Sequence, residues 1–138
     1  MKVGELMTTP VYCITPDETL NQAAAMMKRH GVGSLPVCEG SYVVGMLTDR
    51  DIVMTCAAAG TNPAACQVSE VMTSEPVAVS PDVELEDVVD IMAREQVRRL
   101  PVMSGDELVG LISLGDLALA LDDDRLVARA LREVSTPV

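Results

Sequence analysis

Apolar positions along the chain alternate between two spacings. Leu20, Ala23, Ala24 and Met27 recur at three and four residues, as do Leu85, Val88, Val89 and Met92. That spacing lines up one face of a helix, so helices are expected over residues 17–30 and 82–96. Asp17 is the expected N-cap of the first, with Glu18 in its opening turn. Lys28, Arg29 and His30 crowd its last turn, where cations suit the dipole, and Gly31 supplies the stop. Short runs rich in Val, Ile, Leu, Tyr and Cys at 11–14, 33–38 and 42–47 predict strands, the last two forming a hairpin across Glu39-Gly40-Ser41. Thr48-Asp49 then opens a helix over 50–59 that ends at Gly60. After a linker the order returns: a short lead-in at 68–72, a strand at 76–79, a hairpin over 99–112 and a helix over 114–121. A first lead-in at 3–7 precedes all of this. A last helix over 125–134, headed by Asp122, Asp123 and Asp124, follows it with no counterpart.

The return is a true repeat. Gly45-Met46-Leu47-Thr48-Asp49-Arg50-Asp51 reappears 65 residues later as Gly110-Leu111-Ile112-Ser113-Leu114-Gly115-Asp116. The same offset pairs Val3 to Thr8 with Val68 to Thr73, Pro16-Asp17 with Pro81-Asp82, and Leu35-Pro36-Val37 with Leu100-Pro101-Val102. Between Val3 and Asp51, 17 positions are identical to the second copy without a gap. The chain divides into repeat 1 (residues 1–60), a linker (61–67), repeat 2 (68–122) and a helical tail (123–138). A copy of about 60 residues buries little surface alone, so the two are expected to share a core. The tail is expected to pack on the lead-in segment or on a partner chain.

Composition narrows the chemistry. Of 138 residues 49% are apolar, enough for a core, yet Trp and Phe are absent and Tyr12 and Tyr42 are the only aromatics. Nine Met fill gaps that aromatic rings would otherwise occupy. The net charge of -11 gives no positive field for a phosphate backbone, so nucleic acid is not an expected partner. No apolar run approaches the ~18 residues of a membrane span, and the first residues lack a signal-peptide core, so a cytoplasmic location is expected.

Candidate catalytic groups are few. His30, the single histidine, fits a dipole partner at a helix end and has no second histidine with which to build a triad or metal cluster. Cys13, Cys38, Cys56 and Cys66 form no C-x-x-C pair, so no metal site is expected. Cys13 and Cys38 fall on strands of one repeat. Two readings stay open for them: a disulfide, or two small buried side chains in a reducing compartment. With no nucleophile–base pair and no P-loop, an enzyme is not expected.

Met-Thr, Pro-Asp, Leu-Pro-Val and Gly-x-x-Thr/Ser-x-x-Asp, in that order and twice over, resemble the CBS domain (cystathionine-β-synthase domain). Two in tandem resemble a Bateman module, and with almost no chain left over the likeness is to the stand-alone two-CBS proteins. The resemblance implies an α+β fold of two βαββα repeats related by a pseudo-twofold. It implies a homodimer, and a regulatory ligand of the adenine-nucleotide class (AMP, ADP, ATP or S-adenosylmethionine) rather than a required cofactor. Carried over by position, one nucleotide cleft takes Thr48, Arg50 and Asp51 with Val77, Val97, Arg98 and Arg99. The other takes Ser113 and Asp116 with Tyr12, Val32 and Gly33. The first cleft has guanidinium groups for a phosphate and the second has none, so the charged nucleotide is expected in the first. The chemistry is apt: a carboxylate accepts ribose hydroxyls, and a neighbouring hydroxyl offers a donor. Competing with this, Thr48 and Ser113 can simply cap helices, leaving a dimeric CBS scaffold or stress-response protein with no physiological nucleotide and an unknown downstream partner.

Overall fold

The computed structural model describes residues 1–121 and 124–135. Asp122 and Asp123, expected at the head of the last helix, and residues 136–138 lie outside the described residues. In chain order the elements are α1 (Val3–Leu6), α2 (Leu20–His30), β1 (Ser34–Glu39), β2 (Tyr42–Thr48), α3 (Asp49–Ile52), β3 (Thr73–Ser74), α4 (Leu85–Glu95), β4 (Arg99–Ser104), β5 (Glu107–Ser113), α5 (Leu114–Ala120) and α6 (Asp124–Ser135). The α+β alternation of the repeats is therefore present.

Two compact units result, and their boundaries cut across the sequence repeat. One is Tyr12–Pro76; the other joins Met1–Val11 to the described residues of Val77–Val138. In the first, β1 and β2 form an antiparallel hairpin and β3 pairs with β2 through Gly45 and Met46. In the second, β4 and β5 form the matching hairpin and Thr8 bridges to Leu111. Each hairpin shifts register at the same place, between Val37 and Cys38 and between Val102 and Met103.

The lead-in segments explain the cut. α1 belongs to the second unit: Val3 and Gly4 donate to the carbonyls of Val83 and Pro81, both at 2.9 Å. Its counterpart around Val68 belongs to the first unit, where Val68 donates to Glu18 at 2.8 Å. One shared core is expected from the sequence; the buried residues instead form two clusters, one per unit. Val3 completes the cluster of Val79, Leu85, Val88, Met92, Leu100 and Ile112, and Val68 that of Ile14, Leu20, Leu35, Val37 and Leu47. A lead-in enlarges a core that one contiguous repeat would leave small.

Several expected elements change. The strands at 11–14 and 76–79 shrink to single parallel bridges, Ile14 with Val37 and Val79 with Val102. The cause is proline. In a parallel ladder the next bonds would run from the N–H of residue 36 to the carbonyl of Tyr12 and from the N–H of residue 16 to Cys38. Residues 36 and 16 are both proline and have no N–H, and Pro101 and Pro81 repeat the arrangement around Val79. α2 starts two residues later than an Asp17 cap would place it because Thr19, not Asp17, is its N-cap: Gln22 N–H donates to Thr19 Oγ1 at 3.1 Å. Asp17 instead accepts from Thr15 Oγ1 at 2.7 Å, which holds its carboxyl below the usual range, and its own backbone N–H adds to the effect. Ala24, placed in the apolar stripe by spacing, is exposed. The helix expected over 50–59 is a short α3 that widens into a π-turn at Val53–Ala57. α2 ends at Gly31 with φ 65°, and α4 ends at Gln96 with φ 55°, a left-handed conformation that costs glycine far less than glutamine. α6 packs on α4 and α5, and its Ala130 is buried in the cluster that Leu6 and Met7 flank.

The motif glycines are required by space. A Cβ on Gly45 would lie 2.5 Å from Met72 Sδ and 3.0 Å from the Thr73 carbonyl oxygen. One on Gly110 would lie 2.6 Å from Met7 Sδ. Gly45→Ala and Gly110→Ala are each expected to destabilise by about 1–3 kcal/mol in urea unfolding. In a Met7→Ala background the Gly110→Ala cost should fall but not vanish, because the sulfur and Cγ are gone while the Cβ of residue 7 stays 3.1 Å away. A Met72→Ala background should relieve Gly45→Ala less, because the Thr73 backbone still crowds that site.

Candidate functional site

The two Gly-x-x-Thr/Ser-x-x-Asp motifs build the same structure. At the end of β2, Thr48 is extended (φ -115°, ψ 161°) and its Oγ1 accepts from Asp51 N–H at 3.1 Å. In return Thr48 N–H donates to Asp51 Oδ2 at 2.9 Å. At the end of β5, Ser113 and Asp116 repeat the exchange at 3.1 and 2.9 Å. These are capping boxes. All four residues are half-buried. Each carboxylate has its Oδ2 bound, and among the described residues its Oδ1 takes no hydrogen bond and remains available as an acceptor.

A second strand of backbone is tied to each mouth. Asp49 N–H donates to the Gly33 carbonyl at 2.9 Å, and Leu114 N–H donates to the Arg98 carbonyl at 2.8 Å. Gly33 lies under the Asp49 carboxylate, where a Cβ would meet Oδ2 at 3.1 Å. Each mouth thus has, in its own unit, the loop preceding the first hairpin strand. Val32 and Val97 hold those loops by donating to Met27 and Met92 at 3.0 and 3.1 Å.

The remaining expected site residues divide by unit. Thr48, Arg50, Asp51, Tyr12, Val32 and Gly33 belong to the first; Val77, Val97, Arg98, Arg99, Ser113 and Asp116 belong to the second. Arg50, Arg98 and Arg99 are exposed, and Val97 is half-buried against its unit's core. Arg98 has a partner that the repeat pattern did not reveal: its Nη2 donates to Ser135 Oγ on α6 at 2.9 Å. His30 has one too. Its ring lies flat on Tyr12, with centroids 3.5 Å apart and planes 9° from parallel. Tyr12 and Val77, at 41% and 39% exposure, carry the carbonyls that the prolines leave without a ladder donor.

Cys13 and Cys38 are neighbours with free thiols, one exposed and one buried. The hydrogen bond from Cys38 holds the Cys13 thiol below the ordinary range against the opposing effect of burial. Cys38 is pushed up by that same bond, then by burial, then by the charge on Cys13. Cys56 donates to the Thr61 carbonyl at 3.1 Å, capping the π-turn. Among the described residues no group of three or more His, Cys, Asp or Glu is placed to hold a metal ion, and no helix is long and apolar enough to cross a membrane.

A pair of βαββα units, each carrying a hydroxyl–carboxylate mouth, defines a tandem CBS architecture. The chain belongs to the CBS-domain family: the family model matches residues 3–57 and 68–123. CBS domain-containing protein YhcV of Bacillus subtilis is 42% identical over 133 residues, covering 96% of this chain and 94% of that one. Hypoxic response protein 1 of Mycobacterium tuberculosis is 36% identical over 124 residues, covering 89% and 87%. A crystal structure of hypoxic response protein I with two coordinated zinc ions superposes with a TM-score of 0.79 at 35% identity, over 88% of this chain and 99% of that one. A hexameric CBS-CP12 protein from bloom-forming cyanobacteria gives 0.81 at 32% identity, over 88% and 72%. Inosine-5'-monophosphate dehydrogenase of Korarchaeum cryptofilum is 32% identical over 108 residues, but these make up only 21% of that enzyme. Its activity therefore does not transfer to this chain.

Alkylation of the native protein at neutral pH should modify Cys13 before the other three cysteines, because the thiolate is the reactive form. Cys38→Ala removes the donor, returns the Cys13 pKa upward and slows that reaction. An unchanged rate in the variant would contradict the thiol–thiol hydrogen bond.

Proposed function

We propose that the protein is a regulatory CBS pair that binds an adenine nucleotide (AMP, ADP, ATP or S-adenosylmethionine) and acts as a cytoplasmic homodimer. The observation that carries this reading is the duplicated mouth. Each capping box leaves one carboxylate oxygen open beside a hydroxyl, and a ribose diol is a matching pair of donors. The open carbonyls of Tyr12 and Val77 would accept from the exocyclic amine of adenine, which guanine and hypoxanthine lack at that position. Arg98, expected by position at the cleft of Asp51, lies on the loop that Leu114 N–H ties to the Ser113–Asp116 mouth of its own unit, so it supplies a cation for a phosphate at that mouth, while Gly33 stands at the matching place in the other unit. The hexameric state of the CBS-CP12 protein supports self-association as a property within the family. Joining of Cys13 and Cys38 in a disulfide under oxidising conditions belongs to the same proposal. It would show as the loss of two hydrogen masses, reversed by reductant.

A specific observation favours a second reading. Both hydroxyl–carboxylate pairs are fully accounted for as helix caps, so a dimeric scaffold or stress-response protein without a nucleotide needs nothing more from them. Thermal unfolding separates the two. A ligand that binds only the native state, present at 100 times its dissociation constant, adds about 2.7 kcal/mol and should raise Tm by roughly 5–10 °C. A flat response to AMP, ADP, ATP and S-adenosylmethionine would favour the scaffold.

The clefts should differ. In calorimetric titration with AMP, Asp116→Ala, at the mouth whose loop carries Arg98, is expected to lose at least about tenfold in affinity, a charge-assisted hydrogen bond's worth. Asp51→Ala should leave that affinity within about twofold. Equal losses would remove the assignment of the charged nucleotide to the mouth that Arg98 attends.

A further inference from the structure

The tail helix α6 has no counterpart in the repeat, and its far end lies on the loop that carries Arg98. Its middle is fixed. Ala130 is buried, and Arg129 pairs with Asp90 on α4 and lies 3.6 Å from Glu133. From there the last turn reaches the 96–98 loop. Gln96 Nε2 donates to the Glu133 carbonyl at 3.4 Å, and Arg98 Nη2 donates to Ser135 Oγ at 2.9 Å. The Arg98 backbone is held separately, through its carbonyl, by Leu114 N–H at 2.8 Å. The guanidinium can therefore change partners without moving the loop. Only this loop of the two carries a cation at that position, and only this unit carries a tail.

We propose that α6 is a built-in competitor for Arg98. With no ligand present, Ser135 holds the guanidinium; a phosphate-bearing ligand takes it over and frees the last turn of the helix. A hydroxyl is a neutral acceptor for a single bond. A phosphate offers charge and a bidentate match to the guanidinium fork, so the exchange runs toward the ligand. The Arg129–Asp90 pair and buried Ala130 confine the release to the end of α6, which makes that end a mark of occupancy that another molecule can read. The inference rests on the reading of Arg98 as a phosphate contact given above.

Amide hydrogen exchange along α6 of the full chain tests it, with AMP and adenosine as probes. AMP should speed exchange in the last turn while adenosine, which has no phosphate, leaves it unchanged. Ser135→Ala should loosen the same amides without ligand and tighten AMP binding by about two- to fivefold, with adenosine binding unaltered. If AMP binds and the last turn is unchanged, or if Ser135→Ala leaves AMP affinity where it was, the competition is overturned and the nucleotide site stands. If AMP binds neither the native chain nor the variant, the site reading falls and this inference falls with it.

Discussion

A methionine lying over a glycine is the contact on which each unit depends. Met72 lies over Gly45 and Met7 over Gly110, and neither glycine tolerates a Cβ without displacing the sulfur. The lead-in that carries each methionine also delivers a valine to the floor of the core, Val68 or Val3. Each core is therefore completed by a segment that the sequence pattern assigns to the other copy. A single contiguous repeat would lack its lead-in valine and expose the groove over its own glycine. The doubling of the motif is thus a structural requirement as well as a duplication of the capped mouth.

The mouths inherit their rigidity from the same hairpins. Thr48 and Ser113 end the strands that carry Gly45 and Gly110, so the packing of the lead-in fixes the strand and the strand fixes the cap. The two caps agree to a tenth of an ångström although one is built on Thr and the other on Ser. What differs is the surroundings. Arg98 and α6 attend one mouth's loop, and Gly33 with the Asp49 carboxylate attends the other. Identical geometry in unlike electrostatic settings is what two sites of different preference would need.

Much of this was legible in the residues. The 65-residue offset, both hairpins, the buried face of α4 and, Ala24 apart, that of α2 follow from spacing alone, because periodicity reports burial. The capping boxes were readable as Thr/Ser-x-x-Asp. What escaped lies where one residue type serves two roles or where partners are far apart in sequence. Val11 to Ile14 has strand composition, but its ladder is stopped by Pro36 and Pro16, one of them distant. Asp17 and Thr19 are both good N-caps, and only Gln22 reaching back to Thr19 decides between them. The crossing of the lead-ins is invisible because Met7 and Met72 are identical and either could serve either glycine. Ser135 gave no signal at all, since a tail outside the repeat has nothing to be compared with.

The prolines that shorten the first strand of each repeat also govern how the sheets meet the outside. The side of β1 turned away from β2, and of β4 away from β5, would ordinarily offer a run of donors to any extended chain passing by. Here that border is interrupted at Pro36 and Pro101 and occupied beside them by a single bridging residue. A chain with 49% apolar residues is thereby guarded against joining its neighbours edge to edge, by the same two residues that leave the Tyr12 and Val77 carbonyls without a ladder donor. Resistance to aggregation and an open hydrogen-bonding rim are one and the same omission of an N–H.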